Sequence, residues 1–199
     1  MKFYLKKAFF ILVYIVLTSF ISMAILLIDG QVALKIVLLV ANLGLFLYIV
    51  CGMAYQDGQK AYKILHANDK EREYIIKTGE DRKLKISEEY KAYKGFLIGF
   101  VSCVPLVVML LIQFIISKFN PLDVSMGSTA NYLYFFISAF ANLDPNGVIE
   151  AAVYASPYWA LLSIPPIMLA HGINFIFGAR KIRRQYEQVK DIHKSIYGD

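Results

Sequence analysis

The chain has 199 residues, of which 58% are hydrophobic and only 18% charged, with a formal net charge of +6 and a mean hydropathy of +0.52. A soluble domain usually carries about 25% charged residues; this composition leaves room for one membrane domain, residues 1–199, with short appendages and no separate soluble enzyme domain. The two cysteines, Cys51 and Cys103, are too few for a disulfide framework or a metal site and read as small packing residues.

In chain order, residues 8–28, 32–54, 95–117 and 158–178 each supply the roughly 20 apolar residues that a hydrocarbon core of about 30 Å demands of a helix. Lys2, Lys6 and Lys7 before the first run resemble the start of a signal peptide. A signal core is about 7–15 residues and ends in small residues. This run is longer and closes on Leu27, Ile28, Asp29 and Gly30, so it reads as a retained span. With the amino end inside, 19 of the 21 basic residues fall on the inner side, and only Lys35 and Lys118 lie at the outer face. That bias predicts a plasma-membrane protein with both termini and the 55–94 loop in the cytoplasm. Lys35 is expected to snorkel to the headgroups.

The loop holds ten basic and eight acidic residues, too balanced for a nucleic-acid surface. Residues 59–77 read as a surface helix extending the second span, with Tyr62, Leu65 and Ile76 on one side. A hairpin of 74–77 with 82–86 about the turn Thr78-Gly79-Glu80-Asp81 is the alternative. Either way, the loop is too short to bury a core of its own.

The outer segment, 118–157, contains an aromatic stretch at 129–143 with Tyr132, Tyr134, Phe135, Phe136 and Phe140. At about 15 residues it is short for a span and is expected to form an interfacial or re-entrant helix. Asp144-Pro145 then reads as a helix start, with a second short helix through Ala155 stopped by Pro157. The tail, 179–199, carries Arg180, Lys181, Arg183 and Arg184, with Ile182, Tyr186, Val189 and His193 at helical spacing. A basic amphipathic helix beside a span predicts attraction to anionic lipid at the inner face, the rival being a docking helix for a cytoplasmic partner.

Polar residues inside spans are where chemistry would lie. Asn42, Gln113, His171 and Asn174 are the candidates. Asn42 lies about 18 Å from the inner end of its helix and His171 about 13 Å from Arg180, so the two are expected to meet near the midplane. They would act either as hydrogen-bonded glue between helices or as a proton or substrate site with His171 titrating. Pro165 and Pro166 predict a hinge nearby. Gly95, Gly99 and Ser102 form a small-residue stripe that Gly44, Cys51 and Gly52 of the second span match, a packing face within the chain or between copies.

No metalloprotease motif, glycine-rich phosphate loop or nucleophile–base set is present, and no acidic residue lies deep in any of the four apolar runs. No cofactor is implied. The stretch Ala54-Tyr55-Gln56-Asp57-Gly58, the charged loop, then Tyr93-Lys94-Gly95-Phe96-Leu97-Ile98-Gly99 and Pro105, resembles uncharacterised small multi-pass membrane proteins of low-GC Gram-positive bacteria. The resemblance implies no activity and carries over no functional residue.

The sequence therefore predicts an all-α integral membrane protein with four transmembrane helices. Its expected role is a non-enzymatic accessory or assembly subunit, working with a larger membrane or cytoplasmic protein or with further copies of itself. The alternatives are a transporter or channel component with a polar site around Asn42 and His171, and a membrane enzyme without a recognisable motif.

Overall fold

The computed structural model describes residues 2–28, 31–80, 82–120, 129–130, 132–142 and 157–197. The helix start expected at Asp144-Pro145 and the short helix through Ala155 lie outside these residues. Four helices are long and apolar enough to cross a membrane. They are α1 (Lys2–Leu27), α2 (Val32–Thr78), α3 (Tyr93–Phe119) and α4 (Ile164–Tyr197).

Helices α1 and α2 form an antiparallel hairpin, tied at one end by Lys7 to Asp57 and at the other by Lys35 to the Leu26 carbonyl. Lys35 therefore does not snorkel outward. It is buried and caps the last turn of α1, where carbonyls lack helical partners. The broadest helix contacts join α4 to α2 and then to α3. Tyr55 meets Gly178, and Tyr62 meets Tyr186, so α2 and α4 run parallel and leave the bundle at the same end.

The second span does not stop at residue 54. Its buried positions Leu39, Asn42, Phe46, Val50, Ala54, Asp57, Ala61 and Asn68 keep a helical period far past the apolar run. The helix ends only at Gly79, which takes φ 73° and returns its N–H to the Ile75 carbonyl. Residues 74–77 are thus helical, and the alternative hairpin does not form. The connection 82–92 keeps most of its side chains exposed but is pinned to the helices near Glu89 and Tyr90. It folds back on α2 through the Tyr90 N–H to the Ala61 carbonyl, and it carries buried Glu89.

An aromatic column joins the same elements. Phe175 stacks on Tyr90 at 5.6 Å, Tyr90 meets Tyr62 at 5.8 Å, Tyr62 meets Tyr186 at 6.4 Å, and Tyr186 stacks on His66 at 4.1 Å. Beyond it Ile76, Val189 and His193 are exposed, so the expected apolar stripe of the tail is buried only at Ile182 and half-buried at Tyr186.

At the opposite end, residues 129–142 pack into the bundle rather than over it. Tyr134, Phe135, Phe136 and Ala139 are all but inaccessible. Phe136 meets the Phe46 ring at 4.8 Å, and the Ser19 hydroxyl donates to the Leu133 carbonyl. The Tyr134 hydroxyl donates to the Ser102 carbonyl at 3.0 Å, one turn from Pro105, which interrupts the hydrogen-bond ladder of α3. Ser102 lies about 25 Å along α3 from its Phe119 end, and Ser19 about 12 Å along α1 from Leu27. Phe135 and Ala139 then pack with Ile25 and Leu39, nearer that end.

Pro165 and Pro166 form no hinge. They stand in the first turn of α4, directly after the 3₁₀ helix Pro157–Ser163. There a missing N–H removes no bond the α-helix would otherwise make. They mark where one helix type hands over to the other.

Candidate functional site

The expected Asn42–His171 pair does not form. Asn42 faces α1, where its side-chain amide donates to the Thr18 carbonyl and to Ser22 Oγ, both at 2.9 Å. His171 faces α3, and its Nδ1 lies 2.9 Å from the Gly95 carbonyl. That bond fixes the ring proton on Nδ1. Cys51 lies beside the Ala170 carbonyl, which places His171 near the level of Cys51 on α2. The nine residues from Asn42 to Cys51 correspond to about 14 Å along the axis. His171 is thus displaced from the level of Asn42 toward the basic end of the bundle. Asn174 donates to the carbonyl of Ala170 in its own helix, and Gln113 is buried on α3, about 27 Å along the axis from Gly95, the residue that His171 meets.

Small residues do bring helices together, but with a different partner from the one expected. A Cβ at Gly95 would come within 2.9 Å of the Phe175 ring, and one at Gly99 within 3.0 Å of the Met168 backbone, both on α4. Ser102 bonds to the Gly99 carbonyl within α3. Gly44 and Gly52 have nothing within 4 Å of the position a Cβ would take, so they form no seam with α3. The tightest approach lies between α2 and α4. A Cβ at Gly58 would stand 1.9 Å from the Phe175 carbonyl oxygen, and one at Gly178 would stand 2.0 Å from that of Tyr55.

Beside this crossing lies a charge that the apolar runs do not reveal. Asp57, with its side chain 5% exposed, accepts from Lys7 of α1 at 2.5 Å. Burying a carboxylate is tolerable only when it is paired. Asp57 adjoins Gly58, whose close neighbour Phe175 lies one turn of α4 from His171. Lys7, Asp57 and His171, drawn from three helices, are therefore the polar cluster at the basic end of the bundle.

A second cluster holds the 82–92 segment. Asn68 donates to Glu89 Oε1 at 2.7 Å, and Arg72 pairs with the same oxygen. The backbone N–H of Lys85 donates to Asn68 Oδ1, and the Lys94 ammonium donates to the carbonyls of Ser87 and Glu89. Burial beside this lock pushes the Tyr90 phenol above its ordinary pKa, against the opposing pull of the Arg180 guanidinium.

Chemically, these arrangements bind helix to helix. Asn42 and His171 bond across to neighbouring helices, whereas the Ser102 hydroxyl and Asn174 bond within their own. Among the described residues, no three His, Cys, Asp or Glu side chains gather to hold a metal ion. The four cations expected on the tail divide between two faces. Arg180, Lys181 and Arg184 line one groove, whereas Arg183 turns away to pair with Glu187 at 2.8 Å. No family model, curated protein or solved structure matches the chain.

Proposed function

We propose that this protein is a non-enzymatic accessory or assembly subunit of the plasma membrane. Both termini face the cytoplasm, and the chain acts through the arm that α2 and α4 extend beyond the bilayer. The observation that carries the reading is the use made of the bundle's polar groups. Asn42 and His171 spend their hydrogen bonds on neighbouring helices, which suits a fixed scaffold better than a moving transport site. The arm supports it as well, because α2 and α4 leave the bundle together and are joined by ring contacts and by the Glu89 lock.

In this orientation the 129–142 segment is re-entrant from the outer face. Its aromatic burial and the Tyr134–Ser102 bond support that placement. The basic residues around Arg180 then meet anionic lipid of the inner leaflet, and a larger membrane or cytoplasmic protein is the partner of the arm.

One observation favours a second reading, that of a transport component. The buried Lys7–Asp57 pair lies at the same end of the bundle as His171, and ionisable groups buried between spans are of the kind that line ion paths. Two measurements on the purified full chain separate the readings. Gentle extraction from native membranes should recover a larger protein in fixed stoichiometry, while proteoliposomes holding the chain alone should show no ion or solute flux above empty vesicles. Flux abolished by Asp57→Asn would overturn the accessory role.

A further inference from the structure

One stripe of α4 changes character along its length. Leu169, Ile173 and Phe177 recur every fourth residue and are each about half exposed, a ridge of apolar surface. The same stripe continues through Lys181 and Gln185, flanked by Arg180, Arg184 and Gln188. There it becomes one wall of an open groove of about 500 Å³. Tyr55 of α2 forms the other wall, held close because Gly178 lets the two helices touch. The Lys181 ammonium lies 5.8 Å from the centre of the Tyr55 ring.

No carboxylate lines this groove, and no described acid pairs with its three cations. Arg183, one residue aside, is neutralised by Glu187. Three uncompensated cations facing one concavity repel each other until an anion with several acceptor oxygens enters, and guanidinium forks suit phosphate geometry. The apolar ridge running into the groove identifies what carries that phosphate. A soluble anion would use the cations alone, whereas an amphiphile uses both parts of the stripe.

We propose that this groove seats the phosphate of an anionic glycerophospholipid, with its acyl chains along Leu169, Ile173 and Phe177. The site gives a defined place to the lipid attraction proposed above, and it rests on the reading of α4 as a span.

The test uses the full chain in phosphatidylcholine nanodiscs containing a minority of spin-labelled phosphatidylglycerol, compared with spin-labelled phosphatidylcholine. Wild type should hold phosphatidylglycerol in preference. R180Q, K181Q and R184Q should each weaken that preference about fivefold, the equivalent of ~1 kcal/mol per cation near a charged surface. R183Q should leave it unchanged. All four residues are exposed, and thermal unfolding in the same discs verifies that the variants remain folded.

Groove variants that retain the wild-type preference would overturn the site. An equal loss in R183Q would reduce it to diffuse attraction and overturn it too. Displacement of the labelled lipid by inorganic phosphate would assign the groove to a soluble phosphate ligand instead. Nanodiscs offer lipid at both faces, so this result does not depend on which face is cytoplasmic or on whether a partner protein is found.

Discussion

Lys7 Nζ and Asp57 Oδ1 stand 2.5 Å apart although 50 positions separate them in sequence, and their two exposures differ: 26% for the lysine side chain and 5% for the aspartate. This asymmetry sets an order for their substitutions. Lys7→Met strands a carboxylate that cannot reach water, a loss of about 3 kcal/mol. Asp57→Asn removes the charge but keeps an acceptor oxygen for Lys7, whose flexible stem can also turn toward water, a loss of about 1 kcal/mol. Thermal unfolding in one detergent should give Lys7→Met the lower midpoint, and the reverse order would contradict the burial described.

The glycines divide in the same testable way. Gly58→Ala and Gly178→Ala each drive a methyl into backbone on the opposing helix, which cannot yield as a side-chain tip would. Each should destabilise by at least about 2 kcal/mol. Gly44→Ala and Gly52→Ala meet open space and should be neutral or stabilising by less than about 1 kcal/mol. The same unfolding assay checks both pairs, and equal effects would argue against the α2–α4 crossing.

Asp57 is legible in the sequence only through the helical period, not through hydropathy. A hydropathy window closes near Ala54 because composition changes there, but the buried period running from Leu39 to Asn68 does not. Following the period past Ala54 puts Asp57 on the inward face and asks for a cation, which Lys7 provides. The four helices of membrane-crossing length are legible because length and apolarity alone decide them. The choice of partner is not. A small-residue stripe at Gly95 and Gly99 says that a backbone approaches, but not which one. Gly58 and Gly178 look like ordinary isolated glycines until the helices are laid side by side. Asn42 and His171 stand out by residue type, but axial distance along separate helices does not give the face on which each side chain lies.

The aromatic segment offers a third measurement. Tyr134→Phe removes only the hydroxyl bond to Ser102 and should destabilise by about 1 kcal/mol. Tyr134→Ala also opens a cavity among Phe46, Leu106 and Ile167 and should destabilise by about 3–5 kcal/mol. A segment lying on the membrane surface would show neither loss.

His171 distinguishes glue from chemistry. His171→Gln keeps a donor for the Gly95 carbonyl, and His171→Leu does not. Gln should therefore stay near wild-type stability, with Leu lower by about 0.6 kcal/mol. Both should leave partner retention intact, and a Gln variant that folds normally but loses its partner or its flux would make the imidazole itself functional.

Topology is checked from outside intact cells. In a background with Cys51 and Cys103 replaced by alanine, Asn120→Cys should react with an impermeant thiol reagent, and Gly79→Cys should react only after lysis. Labelling of Gly79→Cys in intact cells would invert the assignment.

The column from Phe175 through Tyr90 and Tyr62 to Tyr186 and His66 has a mechanical consequence. It welds the emerging parts of α2 and α4 into one lever, with its fulcrum where Gly58 meets Phe175. From that fulcrum to Thr78 the arm measures about 30 Å, so a tilt of about 10° within the bilayer would swing its tip by about 5 Å. Such a tilt would arrive at the far end of the arm as a displacement of about one helical turn.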